Sequence, residues 1–228
     1  MELSWVHDTA ALSRIGREQP LLLCPSTPQG ARRRALEAFI ETRFRASHDA
    51  RVRHFMPCLL GLFDGRGQIA AAVGLRHAGS QPLFLERYLD QPVEACIQTR
   101  GSQPPAREQI VEVGNLTAAD PGAARLLIVA LTDLLVAQGL HWVAFTGTAM
   151  LRNSFRRLGL QPQSLGMADP ARLGAEQADW GHYYETQPQV MAGNIRSGHQ
   201  CLLQQGIYPR LGYQALYDLA EMPDVACS

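Results

Sequence analysis

Apolar and polar positions between residues 109 and 160 follow the pattern of one strand–helix–strand unit. Residues 109–116 read as a buried strand, and residues 125–138 are apolar around almost the whole circumference of a helix. A second strand at 141–146 and a short basic helix at 150–158 come next. Because a crossover helix joins the two strands, we expect them to lie side by side and parallel.

The same pattern predicts elements on both sides of this unit. Strands are predicted at 19–24, 55–63 and 68–76, and the last two are joined by the hairpin turn Asp64-Gly65-Arg66-Gly67. A helix with one apolar face is predicted at 30–46, a short helix or lid at 83–90, a mobile loop at 99–108 and a helical segment at 171–184. This order indicates a mixed α/β sheet.

Composition narrows the class of protein. The 228 residues carry 21 basic and 21 acidic side chains, and a net charge of zero argues against a general nucleic-acid binder. Five scattered cysteines with no metal-ligand spacing predict reduced thiols and no metal site. The N-terminus lacks a secretory pattern and no apolar run is long enough for a transmembrane segment, so a cytoplasmic location is expected.

A loop of small residues is predicted between the first strand and the helix, at 117–124. Backbone N–H groups at the start of a helix have no partner within the helix, so such a loop is suited to an anionic ligand. Asp120-Pro121 is a helix start signal, with Asp120 as the capping residue facing away from a ligand. The alternative is that Asp-Pro-Gly is only a turn that caps a buried helix.

These segments resemble known acyltransferase motifs. The segment Ala119-Asp120-Pro121-Gly122-Ala123-Ala124 resembles the Gln/Arg-x-x-Gly-x-Gly/Ala loop of GCN5-related N-acetyltransferases, with alanine at the Gln/Arg position. Residues 151–160 resemble the later helix of that family, with Phe155 where it carries tyrosine. The strand 110–117 resembles the Glu-(Ile/Val)-Ser-Arg strand of acyl-homoserine-lactone, or autoinducer, synthases.

A more extensive resemblance is to the thermostable hemolysin family. It is carried by residues 83–90, 111–116, 145–148, 151–153 and by Trp180-Gly181-His182-Tyr183-Tyr184. The fold implied is GNAT-like: a mixed, mainly antiparallel sheet with splayed central parallel strands flanked by helices. Residues 1–165 would form the acyltransferase core, and residues 166–228 a C-terminal extension packed on the same domain. The family name implies lysis, whereas the fold relatives use acyl-CoA or acyl-carrier-protein donors.

Glu112 is the predicted general base. It stands on a strand face that is otherwise made of Ile110, Gly114 and Leu116, and burial of a carboxyl group raises its pKa. The alternative is a structural salt bridge to Arg76 or Arg87. Phe155 replaces the tyrosine that protonates the leaving thiol in the resembled family. Tyr183 and Tyr184 are therefore the predicted replacement acids, and the alternative is that the thiolate leaves unaided.

Two further groups of residues are predicted to bind the substrates. The donor, acyl-CoA or an acyl carrier protein, would contact Asn115, Leu116, Gly122, Ala123, Ala124, Arg125, Arg152 and Asn153. The amine acceptor would contact Glu86, Asp90 and Trp180. For the charged residues the alternative is a solvated helix face, and for the aromatic residues it is core packing, although Gly181 beside Trp180 predicts a close approach.

The sequence therefore predicts an N-acyltransferase that moves an acyl group, of fatty-acyl type, from a thioester to a small-molecule amine by direct attack. Two alternatives stay open. One is a membrane-active hemolysin, although no long amphipathic helix or alternating barrel pattern is visible. The other is a non-catalytic acyl-thioester binding protein, which the replaced tyrosine and the missing Gln/Arg would fit.

Overall fold

The computed structural model describes residues 11–99, 101 and 103–217. Its strands are β1 (Ser13–Ile15), β2 (Leu21–Pro25), β3 (Cys58–Phe63), β4 (Ile69–His77), β5 (Ile110–Ala118), β6 (Trp142–Gly147), β7 (Gln163–Met167), β8 (Gln189–Asn194) and β9 (Gln214–Ala215). The strands of these described residues form one sheet in the order β7-β8-β6-β5-β4-β3-β2-β1-β9. Of these strands, β5 and β6 are the neighbours that run parallel.

Helices cover both faces of this sheet. The α-helices are α1 (Ala31–His48), α2 (Val93–Cys96), α3 (Pro121–Ala137), α4 (Ala149–Arg157), α5 (Ile195–Gln204) and α6 (Ile207–Arg210). Shorter 3-10 helices occupy Phe84–Tyr88, Arg107–Gln109, Pro170–Trp180 and Tyr183–Thr186. None of the helices among the described residues has both the length and the apolar character to cross a bilayer.

Side chains of β5 alternate between the two apolar layers, as the two-residue repeat of a strand requires. Val111 and Val113 pack in the cluster under α3 and α5. Ile110 packs on the other side, with the 3-10 helix Phe84–Tyr88. The cluster that contains Leu36 and Ile40 of α1 belongs to the same side as Ile110. Glu112, between Val111 and Val113, therefore points into the α1 side of the sheet.

The predicted strand–helix–strand unit and the mixed, mainly antiparallel fold class are confirmed. β5 pairs with β6 only from Ile110↔Trp142 to Val113↔Phe145. Beyond these pairs the strands separate: Thr117 and Ala118 of β5 pair with β4, and the end of β6 pairs with β8. The gap between the two parallel strands is the splayed feature that the resemblance implied.

A β-bulge at Asn115 bends β5 where the gap opens. Asn115 has a left-handed φ of 51°, which asparagine tolerates better than most residues. The register against β4 passes from Gly74↔Gly114 to Ala72↔Thr117, so two residues of β5 face one of β4. The bulge therefore turns the end of β5 away from β6.

Several predicted boundaries are wrong. The loop predicted at 117–124 is much shorter, because Thr117 and Ala118 remain paired with β4 and Asp120 already caps a helix that begins at Pro121. The helix predicted at 171–184 is broken into short 3-10 segments at Gly174 and at Gly181, whose φ values of 59° and 48° interrupt the helical path.

Other predictions are tested only in part. The predicted loop at 99–108 includes residues 100 and 102, and the two predicted domain segments include residues 1–10 and 218–228, all outside the described residues. The division at residue 165 stays a prediction. Within the described part of residues 166–228, β8 lies in the same sheet between β6 and β7.

Candidate functional site

A cavity of about 1330 Å³ runs through the gap between β5 and β6. Its wall includes residues from both faces of the sheet, so one arm lies on the α3 side and the other on the α1 side. Val113, Gly114 and Phe145, which border the gap, all reach the wall. A ligand in one arm can therefore meet a ligand in the other arm at the point where the parallel strands separate.

The arm on the α3 side is apolar. Its wall is formed by side chains of α3, β6 and α4 and by the chain that follows α4, among them Ile128, Leu131, Leu135, Val143, Phe155 and Leu160. Phe155 stacks on Phe145 with 4.9 Å between ring centroids, which closes one side of this arm. A long hydrocarbon chain fits such a surface, because burial of each methylene contributes about 0.8 kcal/mol.

The arm on the α1 side combines aromatic rings with charged groups. Phe84, Tyr88, Trp180 and Tyr183 line it together with Glu112. Trp180 lies 5.4 Å from Tyr183 and 5.9 Å from Phe84 between ring centroids, so the rings form one continuous surface. Charged side chains of both signs also reach the wall of the cavity on this side.

A glycine brings this aromatic surface against α1. A Cβ added to Gly181 would lie 2.2 Å from the carbonyl oxygen of His48, at the end of α1, so only glycine fits there. The next residue, His182, donates its backbone N–H to that carbonyl at 2.7 Å. These contacts place Tyr183 edge-on to the His48 ring at 5.2 Å. The close approach predicted from Gly181 is therefore present.

Glu112 is a buried carboxylate, with 3% of the residue exposed. Its Oε2 accepts the backbone N–H of Phe84 and its Oε1 accepts the N–H of Leu85, both at 2.9 Å. Burial raises the pKa of Glu112, while these two hydrogen bonds and the charge of Arg76 oppose the rise. The carboxylate therefore reaches the cavity wall and at the same time holds the start of the 3-10 helix Phe84–Tyr88.

Arg76 is the side chain that faces Glu112 across the sheet. The two residues are direct partners in the antiparallel pairing of β4 with β5, so their side chains leave the same face. Arg76 Nη1 lies 3.5 Å from Glu112 Oε2, and Arg76 also reaches the cavity wall. Of the two salt-bridge partners considered for Glu112, Arg76 is the one present.

The predicted acids, Tyr183 and Tyr184, differ in position. Tyr183 lies on the cavity wall, and burial raises its pKa. Tyr184 forms a hydrogen bond of 2.5 Å with the hydroxyl of Tyr88, and burial raises its pKa to about 12. Both phenols are protonated near neutral pH and can donate a proton, but only Tyr183 borders the cavity.

The predicted donor site is partly occupied by the protein itself. Asp120 Oδ1 accepts the backbone N–H groups of Gly122 at 2.7 Å and Ala123 at 3.0 Å, so the predicted cap is confirmed, but Asp120 lies on the cavity wall instead of facing away from it. Those two N–H groups already have a partner, whereas Ala124 and Leu116 reach the cavity wall.

The other predicted donor residues fall into two groups. Asn115 lies on the wall, where its side-chain oxygen accepts the backbone N–H of Met56 at 2.8 Å. The predicted residues that do not line this cavity are Gly122, Ala123, Arg125, Arg152 and Asn153. They start α3 or lie on α4, beside the part of the wall formed by Ala124 and Leu151.

The structure does not bring Glu86 and Asp90 into the site. Both carboxylate oxygens of Glu86 accept hydrogen bonds from Arg107, at 2.6 and 2.8 Å. Burial raises the pKa of Glu86, but the bonds from Arg107 and from two backbone N–H groups outweigh it and lower the pKa to about 2. Asp90 is exposed and pairs with Arg172. Trp180 is the predicted acceptor residue that lines the cavity.

Three residues that were not predicted from the sequence also line the cavity: Phe84, Tyr88 and Met56. Met56 covers Gly74 and Gly114, where an added Cβ would lie 2.4 and 2.3 Å from its side chain. The two glycines stand in adjacent strands, which is the sequence signal for this close approach. Within the described residues, no group of His, Cys, Asp and Glu side chains is arranged to hold a metal ion.

Comparisons with known proteins agree with this geometry. The family model described as thermostable hemolysin matches residues 26–199. A comparison with curated proteins found no match. Among solved structures, FeeM, an N-acyl amino acid synthase from uncultured soil microbes, superposes with a TM-score of 0.56 at 14% identity, over 88% of this chain and 98% of FeeM.

Two further structures share the fold. TofI in an apo form superposes with a TM-score of 0.54 at 11% identity, over 80% of this chain and 95% of TofI. BjaI, a CoA-dependent acyl-homoserine lactone synthase with SAM and isopentyl-CoA, superposes with a TM-score of 0.52 at 15% identity, over 88% of this chain and 90% of BjaI. At these identities the similarity establishes the fold, and both resemblances drawn from the sequence, to the family and to the acyltransferase fold, are confirmed.

Proposed function

This chain belongs to the thermostable hemolysin family and shares its fold with acyl-transferring synthases, and we propose that it transfers an acyl group from a thioester to an amine. The observation that carries the proposal is the cavity through the sheet. Its apolar arm suits an acyl chain, its aromatic arm suits an acceptor, and the two meet where β5 and β6 separate. A direct transfer requires that the two reactants are held at one point.

The proposed reaction needs one base and one acid. The amine nitrogen attacks the thioester carbon, the carbon–nitrogen bond forms, and the carbon–sulfur bond breaks. Glu112 takes the proton that the amine loses, because it lines the wall beside the gap and burial raises its pKa. The leaving thiolate takes a proton from Tyr183 or from water, with Tyr184 held in place by Tyr88.

The donor in this proposal is acyl-CoA or an acyl carrier protein, and the acceptor is a small-molecule amine. α4 has basic residues in its last turn, Arg156 and Arg157, and no acidic residue in its first turn, and this charge would suit a nucleotide phosphate or an acidic carrier protein. Arg125, Arg152 and Asn153 keep their predicted donor roles on this surface outside the cavity. A cytoplasmic location, where both donors occur, remains a prediction.

One observation favours a second candidate, a non-catalytic acyl-thioester binding protein. Each oxygen of Glu112 already accepts a backbone hydrogen bond, so its carboxylate also has a structural task. The absence of a tyrosine at Phe155 fits the same candidate. Both candidates bind the acyl donor, but only the enzyme converts it to product.

The experiment that tests the proposal has two steps. Thermal unfolding is followed with acyl-CoAs of increasing chain length, since a ligand that binds the folded state raises the melting temperature. The donor with the largest shift is then incubated with an amine panel, and products are identified by mass spectrometry. An enzyme gives an amide and one free thiol per turnover, whereas a binding protein gives the shift and no product.

A further inference from the structure

Arg76 is a partly buried guanidinium group with few partners. Its side chain is 17% exposed, and the ion pair that it forms among the described residues, to Glu112, is long at 3.5 Å. Its Nε is buried and has no hydrogen-bond partner. The side chain donates no hydrogen bond to any other residue in the described part of the chain. The guanidinium group of Arg76 therefore stands beside the cavity with one long contact, to Glu112, among the described residues.

Other arginines of this protein show what a satisfied guanidinium looks like. Arg107, 26% exposed, donates to the carbonyl oxygen of Ala78 and to the carboxylates of Glu86 and Glu94, with all distances between 2.6 and 2.9 Å. Not every arginine on the cavity wall is satisfied in this way: Arg43 donates to the carbonyl oxygen of Ala119 at 3.2 Å, but its Nε is also buried without a hydrogen-bond partner. Buried donors are almost always paired with protein or with water, so a ligand in the cavity is a fitting partner for the donors of Arg76.

The position of Arg76 limits the chemistry of that partner. Arg76 and Glu112 stand opposite each other one residue before β5 and β6 separate. They therefore present a cation and an anion side by side, in the arm lined by Phe84, Tyr88 and Trp180. A guanidinium fork matches a carboxylate, and the carboxylate of Glu112 has lone pairs left for an ammonium group.

We propose that Arg76 binds the carboxylate of the acceptor, and that the acceptor is an α-amino acid with an apolar or aromatic side chain. This inference rests on the proposed function. In an α-amino acid the carboxylate and the ammonium group are attached to the same carbon atom. Two protein groups 3.5 Å apart can therefore bind both of them. The aromatic surface then contacts its side chain. A donor phosphate does not fit here, because the whole pantetheine arm separates it from the thioester at the gap.

The product of this reaction is an N-acyl amino acid. The bound ammonium group first gives one proton to Glu112, which later passes it to solvent, and becomes the attacking amine. The amino nitrogen then forms the amide with the acyl carbon as the carbon–sulfur bond breaks, and the second proton that nitrogen loses replaces the one that Tyr183 or water gives to the leaving thiolate. The carboxylate on Arg76 is not consumed. With a long acyl chain, the product is an anionic amphiphile.

Matched acceptors test this inference. Phenylalanine is compared with 2-phenylethylamine, and leucine with 3-methylbutylamine, so that each pair differs only in the carboxylate. The purified full-length protein and its best acyl-CoA donor should give a kcat/KM about 10- to 100-fold higher for the amino acid of each pair, the range expected for a hydrogen-bonded charge pair. In Arg76→Gln the ratio should fall toward one through a higher KM for the amino acid.

Two controls separate binding from folding. Arg76→Lys keeps the charge but loses the fork, so the ratio should be intermediate and show partial rescue. Arg107→Gln removes a comparably buried arginine away from the cavity wall, and it should keep the wild-type ratio even if the melting temperature falls. The shift produced by the acyl-CoA donor confirms that each variant is folded with an intact donor site.

Failure of this inference looks different from failure of the proposed function. If wild-type protein acylates both members of each pair equally well, or if Arg76→Gln lowers both rates by the same factor, Arg76 does not bind an acceptor carboxylate, although acyl transfer stands. If no amine of either kind is acylated by any thioester donor, the proposed function fails and the inference fails with it.

Discussion

Replacing Glu112 by glutamine separates its catalytic task from its structural task. Glutamine has the same shape but only one acceptor oxygen, so it can accept the backbone N–H of Phe84 or of Leu85, not both. Its amide N–H₂ group then faces the other N–H donor. The loss of one hydrogen bond to a charged group costs about 1.5–3 kcal/mol, and relief of the buried charge offsets part of it.

A net loss of about 2 kcal/mol lowers the melting temperature of a domain of this size by about 4–8 °C. At 25 °C the variant should remain folded, because the free energy of unfolding of a protein domain is about 5–15 kcal/mol. Removal of a general base should lower kcat by about 10²- to 10⁴-fold, which the small change in folded fraction cannot produce. Donor binding, followed by the thermal shift with acyl-CoA, should survive.

Glu86→Gln is the matched control for this experiment. Glu86 also accepts two backbone N–H groups, from Leu83 and Val93, and also pairs with an arginine, but it does not line the cavity. It should lose stability to a similar extent and keep its activity. A Glu112→Gln variant that loses less than about tenfold in kcat while its melting temperature falls as expected would refute the role of Glu112 as base and leave it as an anchor of the 3-10 helix.

Three further substitutions test the ion pair of Glu86, the apolar arm of the cavity and the start of α3. Folding lowers the pKa of Glu86 to about 2, so the ionised carboxylate stabilises the protein above the ordinary carboxyl pKa, and this stabilisation is lost as pH falls toward 2. Urea unfolding at pH 7 and pH 3 measures the difference in stability between the two pH values. In Arg107→Gln that difference should be much smaller. Gly198→Leu should shorten the preferred acyl chain by about four carbons, because the added side chain fills part of the apolar arm. A Cβ at this position would lie 3.5 Å from the Leu160 side chain, which is an ordinary contact. Leu203→Gln, an exposed position on the same helix, should leave the preferred chain length unchanged when a series of donors is compared. Asp120→Ser keeps the cap and removes a negative charge, so the Kd for acyl-CoA in calorimetry should improve about fivefold, and an unchanged Kd would mean that the diphosphate lies elsewhere.

The parts of the fold that depend on local pattern could be predicted from the sequence. The apolar helix at α3 and the strands on either side of it are specified by periodicity and by the Asp-Pro start signal, so their order and parallel pairing are as expected. Gly181 predicted a close approach of another segment, and in the structure this glycine packs against the end of α1. Such signals lie within a few residues of the feature that they predict.

Features that depend on register between distant strands could not be predicted. The bulge at Asn115 exists because two residues of β5 face one residue of β4, and nothing near Asn115 in sequence specifies that mismatch. Glu86 was predicted to bind an ammonium group, but Arg107, 21 residues away, binds it instead. The free donors of Arg76 are visible only once β4 is paired with β5 and the surrounding elements are in place.

The most direct test of acyl transfer is a coupled count of thiol and amide. Purified protein is incubated with the acyl-CoA or acyl carrier protein that stabilises it most, together with the amino acid panel, and free thiol and N-acyl product are quantified over time by mass spectrometry. We expect equal amounts of thiol and amide, many turnovers per protein molecule, and loss of both products in Glu112→Gln. A folded protein that binds an acyl thioester but forms no amide with any acceptor would contradict acyl transfer.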